Sequence, residues 1–102
     1  MRLTWAQLAI ADRESIFDYI VSDNVDAAVA LDERFERCAA MLLEHPEAGR
    51  EGRVAGTREM VAHRHYLMVY DVNAESVRIL RVLHIALQWP PVASRTRRRR
   101  QR

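Results

Sequence analysis

The run from Arg58 to Trp89, REMVAHRHYLMVYDVNAESVRILRVLHIALQW, decides the fold. It divides into three strand-like segments, Thr57 to Ala62, Tyr66 to Val72 and Val77 to Ile85, separated by short polar connections. The second and third are apolar on both alternating faces, the pattern of strands buried inside a sheet rather than at its edge. The connections at His63-Arg64-His65 and Asn73 to Ser76 are tight, so the three segments form an antiparallel meander. The first connection lacks glycine, and its turn type is open. Arg78, Arg81 and His84 interrupt the last strand and require explanation.

Working outward, Arg2 to Trp5 is a short apolar stretch that adds a strand ahead of two helices. From about Ala6 to Val21, Ala9, Ile16 and Ile20 fall on one stripe. Ser22-Asp23-Asn24 makes a turn, with Asp23 or Asn24 placed to cap a second helix. That helix runs to about Glu44, because Ala28, Leu31, Phe35, Cys38 and Leu42 recur at three- and four-residue steps. His45-Pro46 stops it, since the residue before proline is driven from the helical region. Pro46 to Gly56 holds all three glycines and reads as a loop, with a short edge strand at Gly52 to Val54. The sum is an α+β domain: a short N-terminal strand, an antiparallel two-helix hairpin, then a three- to four-stranded antiparallel sheet.

The chain has 102 residues, enough for one domain and one core. Residues 1–90 make that domain. Pro90-Pro91 ends it, and residues 91–102 are expected to be a disordered basic tail. A single cysteine, an N-terminus interrupted early by charge and no long apolar run together predict a cytoplasmic protein with no membrane partner. The net charge of +2 conceals an asymmetry: residues 1–47 carry ten acids against four arginines, and residues 48–102 twelve arginines against four acids. Such a split suits an acidic protein or nucleic-acid partner. There is no lysine, which excludes lysine-base and Schiff-base chemistry.

No glycine-rich phosphate loop, paired-cysteine zinc spacing or serine nucleophile elbow is present, so no cofactor and no metal are expected. His63 and His65 read as solvated turn residues, two ligands without a third. His84 ends an apolar strand, where alternation puts it on a face with Leu80 and Val82. It is either a rim histidine with a hydrogen-bond partner or, in a cleft with Arg53 or Arg58, a group that moves a proton during phosphodiester cleavage. Arg81 must pair if buried, and Glu59 and Asp71 on the neighbouring segments are its expected partners.

Three motifs then combine. The order EHPEAGREGRVAGTREMV, HYLMVYDV, VRILRVLHIALQWP resembles the RelE/ParE superfamily of toxins from bacterial toxin–antitoxin modules, over roughly residues 1 to 90. The resemblance implies an antitoxin partner that wraps the toxin, with operator DNA bound only through that complex. One branch, RelE-like, cleaves mRNA on the ribosome; the other, ParE-like, poisons DNA gyrase. RelE-like toxins commonly place arginine where this chain has Leu67, and often supply lysines to a basic loop. They also tend to carry an arginine, histidine or tyrosine cluster after the last strand, where Ile85-Ala86-Leu87-Gln88 stands here. The acidic hairpin, the GTREMV strand and the RVLH-x4-WP ending look ParE-like. Gyrase poisoning by protein contact, without catalysis, is therefore the first expectation. The alternative is a ribosome-dependent mRNA endonuclease using His84, Arg53 and Arg58, and an inert binding domain is the third.

Overall fold

In the computed structural model, which describes residues 1–87 and 89–90, the chain runs β1 (Arg2–Trp5), α1 (Gln7–Val21), α2 (Val25–Glu44), β2 (Arg50–Glu51), β3 (Arg58–His63), β4 (Tyr66–Val72) and β5 (Ser76–His84). The three main strands lie within one residue of the ends expected from sequence. The α+β arrangement is as expected, and the expected basic tail at 91–102 lies outside the described residues. No helix among the described residues is long and apolar enough to cross a membrane.

Local chemistry accounts for the helix ends. The Asn24 side chain accepts from the Ala27 N–H at 3.0 Å and starts α2. His45 leaves the helical region at φ −133° and ψ 72° ahead of Pro46. Arg13 binds Asp32 at 2.7 Å and Glu36 at 3.1 Å, tying α1 to α2, and stacks over the Trp5 ring at 4.5 Å.

The sheet order is β1-β5-β4-β3-β2. The N-terminal strand joins this sheet, pairing in parallel with β5, while all other neighbours are antiparallel. Thus β5 is flanked on both sides over Ser76 to Ile79 and β4 lies at the centre, as their two-faced apolar character requires. On the helix side of β4, Met68 and Tyr70 pack with Phe35, Leu42, Val77 and Ile79. On the other side, Leu67 and Val69 pack with Leu80, Leu83 and Trp89.

Two details depart from the sequence reading. The edge strand is Arg50–Glu51 rather than Gly52 to Val54. Residues 52–57 instead close into a loop, with Gly52 N–H donating to the Thr57 carbonyl at 2.8 Å and Gly56 at φ +84°. The second departure is a bulge in β5. Tyr70 opposes Ile79 but Val69 opposes Arg81, which leaves Leu80 as an extra residue. Side-chain parity therefore reverses. Leu80 packs away from the helices while Val82 packs toward them, so Leu80, Val82 and His84 do not share one face.

Candidate functional site

Arg53, Arg58 and His84 do not meet. Arg53 belongs to a cluster on the buried Glu59 carboxylate, whose side chain is 1% exposed. That carboxylate accepts from the Arg53 N–H at 3.0 Å and pairs with the Arg53 and Arg50 guanidinium groups, both at 3.1 Å. Burial alone would raise the Glu59 pKa, but the bonds from Arg53 and Arg50 outweigh it and hold the pKa below the ordinary value. Arg58 lies opposite Tyr70 and donates to the Gly49 carbonyl at 2.7 Å. The same loop is held by the Tyr70 hydroxyl, which donates to the Pro46 carbonyl at 2.7 Å and accepts from the Gly49 N–H at 2.9 Å. Gly49 is required there because a Cβ would stand 2.7 Å from the Tyr70 hydroxyl oxygen.

His84 lies opposite Tyr66, at the other end of β4 from the Arg58–Tyr70 pair. Four residues along a strand separate these positions by roughly 13 Å. At its own end His84 joins a cluster that the sequence did not reveal. Its ring stacks on His65 (centroids 5.7 Å, planes 16° apart) and meets Tyr66 edge-on at 5.2 Å. His63 lies 5.6 Å from His65 and 6.0 Å from Tyr66. The turn that lacked glycine is closed by His63, whose Nδ1 accepts from the His65 N–H at 3.1 Å. The Nδ1 of His84 likewise accepts from the Ala86 N–H at 3.0 Å. With Nδ1 an acceptor, the neutral ring of each carries its proton on Nε2 as a donor. Burial and the nearby Arg34, His65 and Arg64 charges lower the pKa of His63. Among the described residues no group of three or more His, Cys, Asp or Glu is arranged to hold a metal ion.

Arg81 pairs with neither Glu59 nor Asp71. Its guanidinium binds the Asp12 carboxylate of α1 through two bonds, at 2.8 and 3.0 Å, while Asp71 pairs with Arg78 and Glu59 with Arg50 and Arg53. Asp12 also accepts from the Val82 N–H at 2.9 Å. Past Trp5 the outer edge of β5 has no strand beside it among the described residues, and a helix carboxylate occupies that position instead. No local pattern signals this contact, because its partners are 69 residues apart.

Beside that edge lies a groove of about 480 Å³ between α1 and β5. Ile16, Tyr19, Tyr66, Val82, His84 and Leu87 are among its lining residues. Tyr19 and Leu87 are 81% and 52% exposed, so its walls present apolar surface to solvent.

Residues 3–89 match the family described as the ParE toxin of type II toxin–antitoxin system, parDE. The chain is 37% identical over 92 residues to Y4kP of Sinorhizobium fredii, a protein that carries a toxin name, covering 89% of this chain and 95% of that one. It is 35% identical over 85 residues to toxin RelE2 of Caulobacter vibrioides, covering 83% and 96%. Among solved structures, a chain of the chromosomal ParDE system from P. aeruginosa superposes with a TM-score of 0.75 at 25% identity, over 83% of this chain and 96% of that one. The YoeB/ParE toxin from Agrobacterium tumefaciens shares the fold, with a TM-score of 0.59 at 15% identity over 82% and 98% of the two chains.

Proposed function

Since the chain belongs to the ParE toxin family of type II toxin–antitoxin systems, within the RelE/ParE superfamily, we propose that it arrests growth by binding DNA gyrase, not by cutting RNA, and that a cognate antitoxin holds it inactive. One observation carries this reading. The two candidate arginines for phosphodiester cleavage are bonded within the chain and lie away from the candidate histidine. Arg53 binds Glu59, Arg58 binds loop carbonyls, and His84 stands at the opposite end of β4. A general acid and the groups that stabilise a developing phosphorane charge have to face one reacting atom. The solved ParDE system from P. aeruginosa supports the antitoxin partner.

The test is direct. Toxin purified free of antitoxin is added to gyrase supercoiling reactions and, separately, to translating ribosomes with a defined mRNA. Loss of supercoiling with accumulation of cleaved DNA and an intact mRNA is the expected result. Unaffected gyrase with codon-positioned mRNA cuts would replace this reading with the second one.

That second reading, a ribosome-dependent endonuclease, draws on the His63, His65 and His84 cluster and on likeness to a toxin named RelE2. It requires that His84→Ala abolish growth arrest while fold and antitoxin binding persist. Under the gyrase reading, arrest by His84→Ala remains within a few-fold of wild type.

A further inference from the structure

We propose that His63, His65 and His84 form an acid-sensitive latch. With neutral rings the cluster ties the β3–β4 turn to the first turn after β5. Protonation releases both turns, and the segment carrying Trp89 then leaves the face of the sheet that lies away from the helices. This device belongs to the chain itself and operates whichever target the toxin strikes.

Hydrogen bonds supply the first argument. The His65 N–H donates to His63 Nδ1 at 3.1 Å, and the Ala86 N–H donates to His84 Nδ1 at 3.0 Å. Between them, the Ile85 N–H donates to the His65 carbonyl at 2.8 Å and the Leu87 N–H to the His84 carbonyl at 2.9 Å. The two bonds to Nδ1 need a ring lone pair, which only the neutral imidazole has there. Once protonated, each ring sets an N–H against a backbone N–H, and an attraction becomes a repulsion. These bonds stand where the chain leaves β5 and turns back over the sheet. Two residues past Leu87, Trp89 packs on Leu67, Val69 and Leu83. Its carbonyl accepts from Arg53 at 3.4 Å, and the Arg81 guanidinium lies 5.6 Å from its ring.

Charge supplies the second argument. The His65 ring lies 5.6 Å from that of His63 and 5.7 Å from that of His84, so protonated rings would repel one another. Arg34 from α2 and Arg64 from the turn add positive charge at His63, and Tyr66 of β4 meets both His63 and His84. From α1, Asp12 and Tyr19 line the same groove as His84, together with Arg81 of β5. Asp12 is the carboxylate of this set, and it is already bound by Arg81 and the Val82 N–H. Among the described residues no carboxylate forms an ion pair with any of the three histidines. Burial, Arg34, His65 and Arg64 hold the His63 pKa below its ordinary value, so the opened chain takes up the proton first as pH falls. The stabilisation from the neutral ring is complete above the ordinary histidine pKa of about 6.5 and is lost below it, as pH drops through the folded value.

The test follows the full-length protein from about pH 7.5 to about pH 5.5, above the range in which ordinary carboxylates protonate. Glu59, held below that range by Arg53 and Arg50, stays ionised throughout. Amide exchange is read in the wild type, and tryptophan emission in Trp5→Phe, which leaves Trp89 as the sole indole. Protection factors at the His65 and Ala86 amides are expected to fall about tenfold or more while those of central β4 hold. Trp89 emission should shift to the red with a midpoint below about pH 6.5. The double variant His63→Asn, His84→Asn keeps an acceptor oxygen near each Nδ1 position but does not titrate, and both responses should vanish in it. The wild-type amides report on the latch even if a variant fails to fold. Unchanged protection, unchanged emission, the same transition in the asparagine variant, or loss of protection in central β4 in step with the turn would each overturn the proposal.

Discussion

At the level of single residues, Asp12 and Glu59 show how this small domain keeps charges inside. The side chains of Arg81 and Asp12 are 24% and 15% exposed, so removing one partner leaves a partly desolvated charge behind. Asp12→Ala is expected to cost about 2 kcal/mol in urea denaturation, less than the roughly 3–5 kcal/mol for a fully buried pair because both side chains keep some contact with water. Asp12→Asn retains an acceptor for the Val82 N–H and should cost about half as much. Equal losses would mean that the Val82 bond contributes nothing. Glu59 sets an acid limit. Its pKa is depressed in the folded state, so the unfolded chain takes up the proton first as pH falls. The stabilisation is complete above the unfolded glutamate pKa of about 4.3 and is lost below it as pH drops through the folded value. Denaturation curves from pH 6 to pH 3 should therefore fall more steeply for wild type than for Glu59→Gln, and parallel curves would contradict this.

At the level of elements, Tyr70 decides where the loop after α2 lies. Tyr70→Phe removes one hydroxyl but two bonds, stranding the Gly49 N–H and the Pro46 carbonyl. A loss of about 2 kcal/mol is expected, since each unpaired group costs about 1 kcal/mol or more. Loop amides near Gly49 should also exchange faster, and unchanged exchange would show that Arg58 alone holds the loop. This element also marks the limit of sequence reading. The helices were legible because Leu31, Phe35 and Leu42 repeat with the helical period and Asn24 and Pro46 punctuate them. The strands were legible because YLMVYDV is apolar on both faces. The bulge at Leu80 was not, because an inserted residue leaves apolar composition unchanged and alters only which face each side chain meets. Arg81 was assigned to neighbours on adjacent strands for the same reason: alternation ranks local partners and cannot see a helix packed against an uncovered edge. The histidine cluster assembles from a turn and a strand end, which only the β3–β4–β5 register brings together. Spacing pairs His63 with His65 in one turn, but nothing local links either to His84.

At the level of the whole molecule, the charge asymmetry resolves into a body and a terminus. Six of the sixteen arginines lie in residues 95–102, so the net charge of +2 becomes −4 without residues 91–102. The sequence pI of about 9.2 therefore belongs to that segment, while residues 1–90 are acidic overall. The core clusters, the ion pairs on Asp12 and Glu59 and the match to the toxin family all lie within residues 1–90. Truncation after Pro90 is accordingly expected to leave the melting temperature within about 2 °C, because a change of 1 kcal/mol would move a domain of this size by roughly 4–8 °C. The same truncation should abolish retention on a heparin column at physiological salt, since the clustered arginines supply most of the counterion release available to the chain. A drop in melting temperature would place residues 91–102 within the stabilising structure and extend the domain past residue 90. Undiminished heparin binding would move the polyanion-binding surface into residues 1–90, where the exposed guanidinium groups of Arg50 and Arg53 flank Glu59.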